Sequence, residues 1–441
     1  MRILVVGGGI SGITAAVEVA EVGHEVTLIE KNPYLGGMVA RMNRYFPKLC
    51  PPSCGLEINF KRIQRNKRIR VYTLAEVERI SGRAGDLEQI RKPSQNPPLA
   101  EKIEDKGGFP DRPLDVTIRL NPRHVNEKCT ACGQCAEACS LEIPNELNYG
   151  MDKIKAAYLP HEMAFPMRYV LDPRILGTDD AHRCAQACAY QAIDLSMQPK
   201  RLEIQVDSIV WATGWQPYDA TRLDNLGFGR YPNVITNVMM ERLAAPNGPT
   251  GGRIARPSDG KAALSVAFVQ CAGSRDTNHL PYCSAVCCLA SLKQTTYLRE
   301  QNPDSRVRIF YIDVRAPGRL EEFYAKVKND EKVKLTKGKV ARITEDPATR
   351  DPVVEAEDIV SGERVRVRVD LAVLATGMAP TPLKSQMPME VRCDENGFIA
   401  SDLSETGIYP VGCVRRPSDV ASSVREATAA ALKAIQSGAR K

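Results

Sequence analysis

The stretch Arg2–Lys31, RILVVGGGISGITAAVEVAEVGHEVTLIEK, leaves little freedom in how this chain can begin. Arg2–Val6 suits a buried parallel strand, and the turn Gly7-x-Gly9-x-x-Gly12 follows at once. From about Ser11 to Val22 apolar and small residues recur at helical spacing, Gly23 stops them, and Glu25–Glu30 reads as a second strand. The three glycines answer three needs: a tight turn, close approach of backbone to a pyrophosphate, and close packing of helix on strand. Free N–H groups at the helix start favour phosphate, and Glu30 ends the second strand where a carboxylate can accept from ribose hydroxyls. Strand, turn, helix, strand and acid in that order predict a dinucleotide site.

Four further segments resemble two-dinucleotide-binding flavoproteins of the thioredoxin-reductase type and point to FAD. KNPYLGGM (31–38) carries the second glycine pair, Gly36-Gly37. SIVWATGWQPYD (208–219) and LAVLATGMAPTP (371–382) are each a strand followed by Ala-Thr-Gly. In that family such turns mark where the chain passes between the flavin domain and a second nucleotide domain. TGIYPVGCVRRPSDVASSVREATAAALKAIQSG (406–438) reads as a strand, a Gly412 turn and a helix capped by Ser418 or Asp419. The resemblance makes Gly7, Gly9, Ser11, Gly12, Glu30, Lys31, Gly37, Met38, Thr213, Gly214, Gly412, Cys413, Asp419 and Val420 the candidate FAD contacts. One departure stands out: the family has Gly-Asp where this chain has Gly412-Cys413, which leaves Asp419 as the acid that could substitute.

Residues 264–313 again read as strand, helix, strand: LSVAFVQ, SAVCCLASLKQTTYLREQ and RVRIFYID. The joint between the first two is CAGSRDTNHLPYC, with no glycine triad, so no NAD(P)H site is expected. Cys271, Cys283, Cys287 and Cys288 stand there instead. Adjacent cysteines at a helix start are poor geometry for a mutual disulfide, and four convergent thiolates suit an iron–sulfur cluster. Structural zinc, redox disulfides and inert buried thiols are the alternatives.

Cys129-x2-Cys132-x2-Cys135-x3-Cys139 has the spacing of a bacterial ferredoxin run, with Ser140 where proline would follow. In two-cluster ferredoxins the fourth cysteine of each run serves the other cluster. HRCAQACAYQAIDL (182–195) looks like the tail of a second run, its first two ligand positions taken by Thr178 and Ala181. Cys129, Cys132, Cys135 and Cys188 therefore make one full [4Fe–4S] site, and Cys139 and Cys184 are left two ligands short. Cys50 and Cys54, on LCPPSC, could complete a second site in this insert or form a redox-active pair. Two clusters are expected and three are possible. Cys393 fits no set, and neither His182 nor His279 reads as a ligand.

FVQCAGSRD, PYCSAVCCLASLKQ and DVRAPGRLEEFYAKVKND (313–330) closely resemble the A subunits of heterodisulfide reductases. FPKLCPPSCGLEINFKRI (46–63) resembles the shorter A subunits found in quinone-interacting membrane-bound oxidoreductase (Qmo) complexes. This resemblance implies an FAD- and iron–sulfur-bearing electron-transfer subunit that links the menaquinone pool with adenylylsulfate reductase. It implies two partners, one a second flavin/iron–sulfur subunit, the other a membrane quinone-binding subunit. It further implies a cytoplasmic place at the inner membrane, held through such a partner. Longer relatives carry a C-terminal ferredoxin module, so other subunits are expected to hold further clusters. Competing readings are a flavin-dependent disulfide or thiol reductase using Cys50/Cys54, a soluble heterodisulfide-reductase-type subunit, and a zinc-bearing scaffold.

Bulk composition agrees. At 441 residues the chain suffices for two or three cores, and 14 cysteines with no secretory signal fit metal or redox chemistry rather than a disulfide scaffold. No run of about 18 apolar residues exists to span a bilayer. A net charge of +7 is too mild to argue for nucleic acid. The basic run Lys61–Arg70 reads as a solvated helix face or a docking patch. The expected architecture is α/β, with two Rossmann-like lobes and an inserted ferredoxin-like module. Its parts are flavin domain at 1–120, insert at 121–200, flavin-domain return at 201–250, second lobe at 251–370 and flavin domain again at 371–441. Within the first part, residues 81–113, rich in Gly, Pro and charge, read as a surface excursion.

Overall fold

Two five-stranded parallel sheets organise the chain in the computed structural model, which describes residues 1–46, 48–81, 113–381, 391, 393–400 and 407–439. Most of the expected 81–113 excursion lies outside these residues. The first sheet runs, in spatial order, Ile408–Pro410, Ser208–Trp211, Arg2–Val6, Glu25–Glu30 and Ile69–Thr73. Ile3, Leu4 and Val5 are buried, as a parallel strand covered on both faces requires. One face packs on the helices Ile10–Glu21 and Val420–Ala439. The other packs on an antiparallel sheet of Ala75–Ser81, Leu114–Leu120 and Lys200–Val206.

The second lobe repeats the plan. Its parallel sheet runs Val234–Thr236, Leu371–Thr376, Ser265–Ala272, Arg306–Tyr311 and Val333–Lys337. Its antiparallel triplet is Val340–Glu345, Pro352–Glu357 and Arg364–Arg368. A short antiparallel pair, Trp215–Pro217 with Met378–Pro380, carries the chain between lobes directly after the two Ala-Thr-Gly turns. This corrects the expected boundaries. Residues 218–250 and the strand Leu371–Thr376 belong to the second lobe, because Val234–Thr236 pairs with that strand and not with the flavin sheet.

The insert leaves and returns at one point, since Leu120 faces Lys200 across the antiparallel pair. Inside it the helices Gln134–Ala138 and Asp179–Ala187 pack together over Cys135, Cys139, Ala181 and Cys184. Residues 41–46 of the flavin lobe lie on the second-lobe helices Asn237–Ala244 and Cys287–Gln301. There the Asn43 N–H donates to Glu241 (3.1 Å) and Arg44 pairs with Glu300 (2.8 Å), while Phe46 meets Phe323 of the helix Leu320–Lys328 edge-on. The basic run Lys61–Arg70 ends the helix Ser53–Arg65 and enters the strand Ile69–Thr73; its arginines line a surface cleft of about 920 Å³.

Candidate cofactor and cysteine centres

The dinucleotide turn has the shape its glycines promise. Gly7 has φ +107°, and a side chain there would place Cβ 2.3 Å from the Ala212 carbonyl oxygen. At Gly12 a Cβ would lie 1.8 Å from the Gly7 oxygen, a clash only shifted backbone could relieve. Gly9 bridges Gly36, and Gly37 (φ +54°) leaves room for Gly9, so the expected second glycine pair folds back onto the first turn. Glu30 is buried. Its carboxylate accepts from the Gly8 N–H at 2.6 Å and from the backbone and side-chain nitrogens of Asn32 at 2.8 and 2.7 Å. Burial pushes its pKa up, against those hydrogen bonds. Ser11 is buried at the helix start, Met38 is half-buried beside Gly37, and Lys31 is exposed.

The far end of the chain meets the same turn. Gly412 has φ +72°, and a Cβ there would lie 2.4 Å from the Ser11 hydroxyl. Of the two candidate caps, Asp419 takes the role, its Oδ1 accepting from the Ser422 N–H at 2.6 Å just beyond Val420. Asp419 is thereby committed to the helix. Cys413, where the family has its acid, is a buried thiol donating to the Ser418 carbonyl (3.3 Å), and burial lifts its pKa to about 11. A neutral group thus replaces a charged one. Among the described residues the buried Thr213 hydroxyl has no hydrogen-bond partner, a polar atom left for a ligand beside the glycine turn. These residues fit FAD: a glycine cradle that no side chain can enter, two helix starts, a buried acid and a waiting hydroxyl.

In the insert, Cys129, Cys132, Cys135 and Cys188 line one small cavity walled by Tyr169, Tyr190 and Ile193. That is the four-cysteine set expected from the ferredoxin spacing. The Cys129 sulfur accepts from the Ala131 N–H (3.4 Å) and the Cys188 sulfur from the Ala192 N–H (3.3 Å). Burial first, then the neighbouring Cys129, raises Cys135 to about 12. Cys139 and Cys184 form a separate buried pair beside Cys135, and burial followed by Cys139 raises Cys184 to about 12. Asp180 anchors the turn where proline is missing, accepting from the N–H groups of Ser140 (3.1 Å) and Leu141 (2.7 Å) and from the Ser140 hydroxyl.

Cys50 and Cys54 have other surroundings: each other, Tyr45 and Lys48, at the surface where the helix Ser53–Arg65 begins. Cys184 is instead perturbed by Cys139, Cys135 and Asp180, and is fully buried. Cys50 and Cys54 thus stand at the start of the helix Ser53–Arg65, and Cys139 and Cys184 in the core of the insert.

The second-lobe cysteines gather where strand, loop and helix meet. Cys271 sits at a bulge ending the strand Ser265–Ala272, with φ +56°. The helix expected from Ser284 begins at Cys287, because Ala285 is left-handed (φ +58°) and Ser284 is spent on accepting from the Met378 N–H at 2.8 Å. The Ala285 N–H donates to the Cys283 sulfur at 3.3 Å, repeating the left-handed Cys-x-Ala turn of Cys129 to Ala131. Cys287 lies against the Thr376 carbonyl of the second Ala-Thr-Gly turn (3.6 Å). Burial, then Cys288, Cys271 and Cys283, pushes its pKa far up. Next to it Gly377 has no room: a Cβ would fall 2.3 Å from the Ser274 hydroxyl and 2.8 Å from that of Ser284. The chain's own loop fills the space over the turn. Among the described residues no three His, Cys, Asp or Glu side chains close on a point fit for a single ion, and every described cysteine is a free thiol. Sequence reasoning missed Arg275, which stands in the loop between Cys271 and Cys283, pairs with Asp313 and lends its positive charge to the Cys271, Cys283 and Cys288 thiols. It also missed the left-handed alanines, which no spacing rule marks.

Residues 2–77 match the family model described as FAD dependent oxidoreductase. The chain is 36% identical over 446 residues to an iron-sulfur A subunit of the CoB–CoM heterodisulfide reductase of Methanopyrus kandleri, covering 98% of this chain and 64% of that one. It is 35% identical to the A subunit of the ferredoxin/F420H2-dependent CoB-CoM heterodisulfide reductase of Methanosarcina acetivorans, covering 99% and 53%. The chain thus spans 53–64% of the length of these curated relatives. Among solved structures, thioredoxin reductases of Lactococcus lactis (TM-score 0.51, 13% identity, 100% and 99% of the two chains) and T. acidophilum (0.50, 14%, 98% and 97%) share the fold. The architecture is that of a thioredoxin-reductase-like FAD oxidoreductase, and the homologues are oxidoreductase subunits.

Proposed function

We propose that this chain is an electron-transfer subunit of the heterodisulfide reductase A type, carrying FAD in the first lobe and [4Fe–4S] clusters in the insert and the second lobe. The observation that carries the reading is the second Ala-Thr-Gly turn. Where a nicotinamide nucleotide would lie, Ser274 and Ser284 close over Gly377, and Cys271, Cys283, Cys287 and Cys288 take the space. When bound, FAD exchanges two electrons and each cluster one. The chain's own part is to hold and tune them. The glycine turn, Glu30 and Thr213 seat the dinucleotide, while the buried cysteines and the N–H groups of Ala131, Ala192 and Ala285 hold and hydrogen-bond the sulfurs.

The finer reading places the chain in a membrane-associated complex linking menaquinone with adenylylsulfate reductase. Its partners there are a second flavin/iron–sulfur subunit, plus a quinone-binding subunit in the membrane. The resemblance of residues 46–63 to the A subunits of Qmo complexes supports it. Among the described residues no helix is long and apolar enough to cross a membrane, so membrane attachment in this reading runs through a partner. A soluble heterodisulfide-reductase-type subunit is the nearest alternative, favoured by the names of the relatives. A thiol–disulfide role for Cys50/Cys54 draws on their pairing at the surface.

Anaerobic stopped-flow reduction tests the core of the reading. The flavin of the purified chain is expected to stay oxidised with NADH or NADPH and to be reduced by a one-electron viologen donor. Fast reduction by NADH alone would overturn it.

A further inference from the structure

We propose that Arg275 sets the reduction potential of the second-lobe cysteine centre by holding one positive charge against its sulfurs, with Asp313 as the moderating counter-charge. The proposal rests on the iron–sulfur reading above. Arg275 stands in the loop between Cys271 and Cys283, in left-handed backbone (φ +57°) that non-glycine residues avoid. Its N–H donates to the Tyr282 carbonyl at 3.1 Å, which ties the residue to the turn carrying Cys283. Its guanidinium donates from Nη1 to Asp313 Oδ2 at 2.9 Å, and the Asp313 carbonyl in turn accepts from the Cys288 sulfur at 3.5 Å. From this place in the 271–283 loop its positive charge is felt at Cys271, Cys283 and Cys288, three of the four sulfurs. The Arg275 side chain is 28% exposed and that of Asp313 53%, so the cation lies inward of its counter-ion.

One-electron reduction adds a negative charge to a thiolate-held cluster, spread over iron and sulfur. A fixed cation beside the sulfurs stabilises the reduced form more than the oxidised form and raises the potential. A carboxylate paired to that cation offsets part of the gain. The pair thus predicts shifts of opposite sign for its two members, which a purely structural role would not produce.

The test is an EPR-monitored redox titration of the full chain, purified anaerobically and reduced stepwise with dithionite through mediators. Wild type is compared with Arg275→Gln, Arg275→Lys and Asp313→Asn, and the second-lobe signal is identified as the one Cys287→Ser abolishes. Arg275→Gln is expected to lower that midpoint, changing the reduced-to-oxidised ratio at fixed potential on the order of tenfold (~59 mV for one electron). Arg275→Lys should restore most of the shift, Asp313→Asn should move the midpoint upward, and the insert signal should stay in place. Unmoved midpoints in Arg275→Gln and Asp313→Asn with iron retained, or shifts of one sign in both, would overturn the proposal alone. If Arg275→Gln loses its iron, the upward shift in Asp313→Asn decides. A wild-type chain with the insert signal but no second-lobe signal would instead remove the centre itself, and with it the functional reading.

Discussion

His161 shows how much a single buried ring can report. It lies edge-on to Tyr34, with centroids 4.8 Å apart, its Nδ1 accepting from the Met163 N–H and its Nε2 buried without a partner. Burial first, then Arg242 and Arg41, lowers its pKa to about 4. Its folded pKa is depressed, so the unfolded chain binds the extra proton more readily. The stability it contributes is full above the unfolded value near 6.5 and is lost as pH falls towards 4. At 1.36 kcal/mol per unit that is roughly 3 kcal/mol at most. Denaturant titrations at several pH values should show this loss in wild type and a flatter acid limb in His161→Gln; parallel limbs would refute the assignment. Nothing in the sequence around His161 announces this, because the Tyr34 ring against it and the two arginine charges that act on it are distant in the chain. The glycines of the first turn were legible for the opposite reason. The need for a missing Cβ at Gly7 and Gly12 is local, so pattern alone reveals it.

At the scale of elements, helices and strands follow their sequence periods, and the departures fall at the cysteines. The helix expected from Ser284 starts late because Ser284 and Ala285 are used to fix Cys283 and the second Ala-Thr-Gly turn. The ferredoxin spacing picked out the four cysteines, Cys129, Cys132, Cys135 and Cys188, that line one cavity of the insert. What it could not reveal was Asp180, which does from the facing helix what the absent proline would do locally. Asp180→Ala should loosen the Cys139–Leu141 turn and speed loss of the insert iron to a chelator, with flavin retained. Chelator kinetics followed by the insert EPR signal would check this, and an unchanged rate would deny Asp180 that anchoring role.

In the whole molecule a buried ion pair of the second lobe grips the backbone of the flavin lobe at Asn43 and Arg44. Glu241 and Lys293 are both buried, 3.1 Å apart, and Glu241 also accepts from Asn43 of the flavin lobe and from Gln294 and Tyr297. The Lys293 ammonium donates to the Arg44 carbonyl. Removing one partner strands a buried charge, so Glu241→Ala should cost about 3–5 kcal/mol, and Glu241→Leu with Lys293→Met should recover much of it. Thermal melts of the single and double variants would show the difference. This clamp also fixes the helix that begins with Cys287 and Cys288 against the segment leading from Gly37, so the flavin lobe and the second-lobe centre are built as one unit. The central claim is that this centre is an iron–sulfur cluster standing in place of a nicotinamide site. The direct measurement is iron, zinc, acid-labile sulfide and flavin per chain after anaerobic purification, for wild type and Cys287→Ser. The account predicts about eight irons and eight sulfides per FAD without zinc in wild type, and about four fewer irons with FAD retained in the variant. About four irons in both, or zinc in place of the missing four, would contradict it.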